Sequence, residues 1–404
     1  MARRSSRDLD RAATSPLRPE ARAAMEPFLS DRYGNPSSAH ALGRDAVRAV
    51  DEARERLADL LGCAPDEVVL TSGGTESDAH AVTGGVPVRS GRVVCSAVEH
   101  PAVLGSVRAI GGSTVAVDAT GRVDLDALAD ELRGTEDDRA VELVSVMAAN
   151  NEVGAVNDLH AMADVVAAHA PLAALHTDAV QAAPWLDLAR IAAPAGLVSV
   201  SAHKFGGPKG VGALVVRRGV AIRPLLHGGG QEWDRRSGTT NVAGVVGMAA
   251  ALDAVARDRA ATSERVRALR DRLAAGLCAI DGVTWTAAAR GPAGRPEVDH
   301  LLPGTLHLLI DDVDSEPLLF LLDRAGVRAS ASSACASGAA RPSHVLAALP
   351  GVTLDDRRRG ALRLSLGHDA TAAQADHALS VVTEAVAHLR AASPTAAGTA
   401  AGGR

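Results

Sequence analysis

Lysine occurs only twice in the chain, at Lys204 and Lys209, although 42 residues are Lys or Arg. A neutral amine can attack a carbonyl, whereas a guanidinium stays protonated and cannot. A lysine kept where arginine serves as the cation everywhere else is a candidate nucleophile. Lys204 lies where the apolar run Leu197–Ser201 breaks into glycine and proline, at the junction of a strand and a loop. A surface lysine beside a turn is the plainer alternative. Other polar groups follow apolar runs in the same way. His100 follows Arg92–Ala97, Asn150 and Asn151 follow Val141–Met147, and Asp178 ends Ala173–Thr177 with Gln181 three residues on. Singly, each has a duller explanation: His100 as a cap before Pro101, Asp178 as an N-cap, the Asn pair as turn residues. Their joint placement at strand ends is what makes one shared cleft the better reading.

A second feature of this kind is the glycine turn Thr71–Ser77, which follows the run Glu67–Leu70 and opens a helix. Free backbone N–H groups at the start of a helix suit a phosphate. The turn lacks the Gly-Lys-Ser/Thr of a P-loop and does not fit G-x-G-x-x-G, so it is a phosphate cup without a nucleotide fingerprint. A phosphate cup, a lysine able to form a Schiff base and a buried carboxylate able to face a pyridinium nitrogen together specify pyridoxal 5'-phosphate.

Cys335 is the remaining reactive candidate. It lies in a run of small and polar residues, 328–342, with nothing to pack in a core, so an exposed loop is expected there, and Arg341 favours a thiolate. Cys63, Cys95 and Cys278 stand in apolar or helical surroundings and are expected to be structural. The four cysteines form no CxxC pair, which disfavours a metal site or a disulfide framework.

The elements that must position these groups alternate. Strands are expected at Glu67–Leu70, Arg92–Ala97, Thr114–Val117, Val141–Met147, Ala173–Thr177, Leu197–Ser201 and Val211–Val216, with helices such as Leu159–Ala168 between several of them. Residues His40 to Gly62 read as an amphipathic helix with Val47, Val50, Leu57, Leu60 and Leu61 on one face and Gly62 as its stop. Such alternation predicts an α/β fold, a mainly parallel sheet covered by helices on both faces. Ligands of such sheets collect beyond the carboxyl ends of the strands. With 404 residues, 47% apolar and 22% charged, one large and one smaller domain are expected of a soluble protein. A net charge of −6 with scattered signs argues against a nucleic-acid surface. No apolar run reaches membrane-spanning length and the first residues carry no signal-peptide core, so a cytoplasmic location is expected.

The order of the motifs resembles the cysteine desulfurases of the class V, fold-type I pyridoxal-phosphate-dependent aminotransferase superfamily. The resemblance rests on Tyr33–Ser38, Thr71–Ser77, Glu99-His100, Asn150–Gly154, Asp178–Gln181, Ser201–Gly210, His227–Glu232, Arg236–Thr239, Ala334-Cys335 with Pro342–Leu346, and Arg363–Gly367. They run in the family's order over residues 10 to 390, essentially the whole chain. The resemblance implies a homodimer. Its large cofactor-binding domain would span residues 15–257, with a smaller α+β domain from 1–14 and 258–390 and an unstructured tail at 391–404.

By the same resemblance, Lys204 would hold the cofactor covalently and move the substrate α-proton. Asp178 would pair with the ring nitrogen, Gln181 with the phenolic oxygen, and His100 would stack on the ring and serve as acid or base. Gly74, Thr75, Ser201 and His203 would hold the phosphate, with Thr239 reaching it from the partner subunit. Asn151 and Arg363 would hold the carboxylate of L-cysteine, and Cys335 would take its sulfur and pass it to an acceptor protein. The spacing from Cys335 to Pro342 fits the branch with the longer cysteine loop. A selenocysteine lyase or another class V enzyme on the same fold is the first alternative, and a non-catalytic sulfur-relay subunit the second. No metal is implied. The chain departs from the family pattern at Arg11, Trp233-Asp234 and Ser332.

Overall fold

In a computed structural model, which describes residues 8–85, 91–134, 139–290, 296–331, 343–352 and 359–392, the expected alternation closes into one seven-stranded sheet. Its strands are β1 (Val68–Thr71), β2 (Arg92–Ser96), β3 (Ser113–Val115), β4 (Val141–Ser145), β5 (Ala174–Asp178), β6 (Leu197–Ser201) and β7 (Gly212–Val216), in the order β1-β7-β6-β5-β4-β2-β3. The pairs β2–β3, β2–β4, β4–β5 and β5–β6 are parallel. β7 runs antiparallel to both β6 and β1, because the link from Ala202 to Val211 is a turn and not a crossover helix. The central strands are buried along nearly their whole length, as expected of strands covered on both faces.

The helices come from α1 (Pro19–Met25), α2 (Ala41–Leu61), α3 (Gly74–Gly84), α4 (Pro101–Ala109), α5 (Leu125–Arg133), α6 (Leu159–His169) and α7 (Leu188–Ile191). Two of these follow from local chemistry. α2 starts where the His40 side chain accepts the Gly43 N–H, and stops at Gly62, which is left-handed at φ 66°. Its buried stripe is Ala46, Ala49, Val50, Ala53, Leu57, Ala58 and Leu61, while Val47 is exposed. The alanines that carry the stripe were not expected; they permit close approach to the long helix α8 (Val242–Leu277). α6 starts at Asp158, whose carboxylate accepts from the His160 and Ala161 N–H groups.

Strand ends differ by one or two residues from expectation, for identifiable reasons. Glu67 does not join β1: its carboxylate accepts the Ala64 and Arg218 N–H groups in a short 3-10 turn. β4 gives way before Met147, whose N–H goes to the Glu99 carboxylate at 2.7 Å and not to a neighbouring strand.

Beyond α8, β8 (Val283–Trp285), β11 (Thr305–Asp311) and β12 (Arg359–Ser365) form an antiparallel sheet in the order β12-β11-β8, and β9 (Ala289–Arg290) pairs with β10 (Pro296–Glu297). α9 (Ser315–Arg324), α10 (His344–Ala348) and α11 (Ala372–Ala392) accompany them. The chain's start lies against this second sheet: Leu9 N–H donates to Arg328 O, and Ser365 N–H donates to Leu9 O. Residues 8–14 thereby run to the carboxyl ends of the large sheet, where the chemistry gathers. Among the described residues no helix is long and apolar enough to cross a membrane.

Candidate active site

Residues from the ends of β1, β2, β4, β5 and β6 converge on one cavity of about 220 Å³. Gly74, Thr75, His100, Asn151, Asp178, Gln181, Ser201, His203 and Lys204 all line it, as do three residues not expected there, Asp78, Met147 and Val180.

The glycine turn forms the wall after β1. Gly73 has φ +147°, a conformation that favours glycine, and caps α3 without a side-chain hydrogen bond. The Gly74 and Thr75 amides therefore stay open to the cavity side of the helix start. A Cβ on Gly74 would lie 3.0 Å from Val180 Cγ2, so a larger residue there would press on the cradle wall. Thr71 Oγ1 and Ser77 Oγ, 2.8 Å apart, fasten the turn from behind.

Lys204 follows β6 on a single 3-10 turn, and its Nζ donates to Ala12 O at 2.7 Å and Ala13 O at 3.1 Å. Its charge acts on its neighbours. His100 is pushed down to about 4 by burial first, then by the Lys204 and His344 charges. His203 is pushed down to about 4 by burial, Lys204 and Lys209. Both rings are thus neutral at pH 7. Nδ1 of His100 accepts the Ala102 N–H at 3.2 Å, so the ring proton is on Nε2. His100 therefore fills both of its readings: it caps α4 and it lines the cavity.

Asp178 ends β5 fully buried. Burial raises its carboxyl to about 6, against the Val180 N–H at 2.9 Å and the Lys204 charge, which both favour the anion. Gln181 donates from Nε2 to Ala12 O at 2.9 Å. The carbonyl of Ala12 thus receives both the Lys204 amine and the Gln181 amide, which ties the chain's start to the site. A second small cavity of about 30 Å³ adjoins, with Gln181 and Lys204 shared and Arg11, Arg18 and Ser365 behind them. Arg11 is buried there and pairs with Asp369 at 3.0 Å.

The asparagine pair divides its work. Asn150 is the turn residue: its Oδ1 accepts from the Glu152 and Val153 N–H groups, and its Nδ2 donates to Val98 O. Asn151 reaches the cavity, and its backbone oxygen accepts from Nη1 of Arg363 at 2.8 Å. Arg363, on β12 and buried, also pairs with Asp10 at 2.7 Å, so the second sheet delivers it to the rim of the site.

Two expected participants stand apart. Thr239 is exposed and lines no part of this chain's own cavity. Cys335, with Ser332, Arg341 and Pro342, lies outside the described residues, as does the tail beyond Ala392. Of the other cysteines, Cys95 is buried and Cys63 half-buried, each thiol pushed up by burial, that of Cys63 to about 12. Cys278 is exposed at the end of α8.

The segment before Thr239 has an anchor that the sequence did not announce. Glu232, Trp233 and Asp234 take successive left-handed conformations, φ 53°, 57° and 62°. Arg54 of α2 holds them. Its guanidinium clasps both oxygens of Glu232 at 2.7 and 2.8 Å and lies 4.8 Å from the Trp233 ring centre. Arg236 pairs with Glu76 at 2.8 Å, one residue past Thr75. The Trp233-Asp234 departure thus supports a turn packed on α2. Asp78 could have been found from the sequence: it lies one helical turn after Gly74, on the same face of α3.

The family pattern described as Aminotransferase class-V matches residues 8–377. An IscS-like cysteine desulfurase of Mycobacterium tuberculosis is 45% identical, covering 96% of this chain and 98% of that protein. A cysteine desulfurase of Gluconacetobacter diazotrophicus is 39% identical over 97% of this chain and 96% of its own length. Among solved structures, a NifS-like protein superposes with a TM-score of 0.83 at 33% identity, covering 94% of this chain and 99% of its own. A structure of SspA in complex with cysteine superposes with a TM-score of 0.73 at 28% identity, covering 89% and 98%.

Proposed function

The chain belongs to the aminotransferase class-V family and is a cysteine desulfurase, and we propose that it works with pyridoxal 5'-phosphate held in the cavity at the ends of β1, β5 and β6. The observation that carries the reading is the convergence on one cavity of an amine, a buried carboxylate and an uncapped glycine helix start: Lys204, Asp178 and Gly74. These residues fit the cofactor. The Gly74 cradle is tight, and among the described residues the buried Asp178 has the Val180 N–H and Lys204 to favour its charge, the setting for a cationic ring nitrogen.

When bound, the cofactor supplies an aldehyde for an amine and an electron-poor ring that stabilises negative charge at the substrate's α-carbon. The chain's own residues supply the rest. The Gly74 and Thr75 amides, Ser201 and His203 hold the phosphate, and Thr239 of a partner subunit completes that shell in a homodimer. Asp178 would face the ring nitrogen, Gln181 would donate to the phenolic oxygen and the neutral His100 ring would cover the face. Lys204 Nζ, drawn from the Ala12 and Ala13 carbonyls, takes the α-proton of L-cysteine and returns a proton when L-alanine forms. Arg363 and Asn151 hold the substrate carboxylate, which the planar fork of Arg363 suits. The Cys335 thiolate attacks the substrate sulfur, the C–S bond breaks with its electron pair left on the β-carbon, which takes a proton to become the methyl group of L-alanine, and the sulfur stays on Cys335 as a persulfide for an acceptor protein.

The test is to incubate the purified protein with L-cysteine and a thiol reductant and to measure alanine and sulfide. Equal release is expected. Release of pyruvate, or of neither product, overturns the reading. Cys335→Ser is expected to bind cofactor and cysteine as the parent does yet release almost no alanine, because a serine alkoxide is inaccessible at neutral pH whereas a thiolate is not. Alanine release within about tenfold of the parent, a loss of only ~1.4 kcal/mol of transition-state stabilisation, sinks the nucleophile assignment.

A further inference from the structure

Asp78 is a buried carboxyl group in the wall of the cavity, and nothing in the proposed chemistry uses it. It projects from α3 onto the sheet face that carries Ser145, His176, Asp178 and Ser199. His176 and Asp178 share that face because they are two residues apart on β5, and their partners on the flanking strands, Ser145 and Ser199, lie on the same face by register. The two rows make a continuous polar line inside an apolar core. His176 Nδ1 is 2.8 Å from Ser145 Oγ, and its Nε2 is 3.0 Å from Ser199 Oγ. Asp78 Oδ1 lies 3.7 Å from the same Nε2 and has no hydrogen-bond partner among the described residues.

We propose that Asp78 is a positioning residue that keeps its proton, directs it to Ser199 and so leaves Asp178 as the single carboxylate charge facing the cavity. The inference rests on the reading that Asp178 meets the cofactor's ring nitrogen. Two ionised carboxylates cannot share one dry wall without strong repulsion. The donors decide which of them is charged. Asp178 has the Val180 N–H and the Lys204 cation, whereas Asp78 has the Ser199 hydroxyl, and its remaining oxygen is unpaired. A protonated Asp78 donates to Ser199 Oγ, Ser199 donates to His176 Nε2, and the neutral His176 ring donates from Nδ1 to Ser145. The protons of Asp78, Ser199 and His176 then each have an acceptor and no charge is buried behind Asp178. The Ser199 hydroxyl, when it donates to Asp78, favours the anion, and the other surroundings outweigh it. Burial, Asp178 and Glu99 all push the Asp78 carboxyl well above its ordinary range, while burial keeps His176 neutral. Glu99 is equally buried and likewise pushed up, against the Met147 N–H that favours its anion.

Infrared spectroscopy of the holoenzyme in D2O reads this directly, through the carbonyl stretch of a neutral carboxylic acid. The parent-minus-Asp78→Asn difference spectrum at pH 7 is expected to contain that band. The band's titration midpoint in Asp178→Asn is expected to move to lower pH, since a negative neighbour has been removed; this second measurement keeps Asp78 itself intact. Absence of the band at pH 7, or a midpoint that Asp178→Asn leaves unmoved, overturns the proposal. Failure of the ring-nitrogen reading is separate. It would appear as a cofactor absorbance whose pH dependence Asp178→Asn does not change, with the Asp78 band still present.

Discussion

Replacing Arg54 by methionine removes a guanidinium and keeps most of an apolar stem. The Arg54 and Glu232 side chains are 9% and 6% exposed, so the pair is nearly dry. Arg54→Met leaves the Glu232 carboxylate with the Leu70 N–H at 2.9 Å, and it also takes from the Trp233 ring the nearer of two cations, leaving Arg235 at 6.0 Å. Breaking a buried pair from one side costs about 3–5 kcal/mol, because the remaining charge is uncompensated. For 404 residues the entropy of unfolding makes each kcal/mol worth about 1.2 °C, so Tm should fall by roughly 4–6 °C. Calorimetry on cofactor-free protein removes any contribution from cofactor binding. The cycle is completed by Glu232→Gln and the double variant. The double variant should be less damaged than the two singles together, by ~2 kcal/mol or more. Additivity within about 0.5 kcal/mol would refute the argument that Glu232 is stranded without its partner. Because Arg236 of the same turn pairs with Glu76 beside Thr75, Arg54→Met should also weaken pyridoxal phosphate binding, measured by fluorescence titration.

Borohydride reduction of the holoenzyme and peptide mapping should place the label on Lys204; label on Lys209 would mean that the wrong amine was chosen. Mixing Thr239→Ala with Lys204→Ala subunits should give heterodimers with one intact and one doubly damaged site, and no recovered activity in verified mixed dimers would count against a phosphate site completed by the partner. His100 is neutral and pushed down to about 4, so its contribution to stability is complete above ~6.5 and lost as pH falls towards 4. His100→Gln should therefore lessen the acid loss, by up to roughly 3 kcal/mol, in urea unfolding of the cofactor-free protein at pH 7 and 4.5. Asp178, raised to about 6, works in the opposite sense, its contribution lost as pH rises through that value. The comparison is thus between parent and variant at each pH, and an unchanged acid loss would overturn it.

Much of the site could be read in the chain because its signals are local. A strand followed by a polar residue, a glycine turn before a helix and a lone lysine at a strand end are each written within about ten residues of sequence. The α/β alternation places all such ends at one edge of a parallel sheet, so Lys204, Asp178, His100 and Gly74 could be assigned to one cleft without coordinates. Gly62 likewise stops α2 by its own backbone freedom, wherever the helix packs.

Other features depended on pairs distant in the sequence, which no local pattern encodes. The anchor of the 227–239 segment joins Arg54 to Glu232 across 178 positions. Arg54 lies on the buried face of α2 by its spacing from Val50 and Leu57, but a cation there names no partner, and only packing brings it to Glu232 and the Val68 carbonyl. The Ala12 carbonyl receives Lys204 and Gln181 from across 192 and 169 positions. That contact exists because the chain's start crosses from the second sheet to the first. The spacing from Gly74 puts Asp78 on the cavity side of α3, but it fixes neither the depth of burial nor the partners. The sheet beneath α3 determines that it faces Ser199 and His176 in a dry core. The residue types and their order thus decided which chemistry the chain can do. Burial and the partner across each contact, which exist only once the layers pack, decided which groups hold protons, which hold charge and which merely hold them in place.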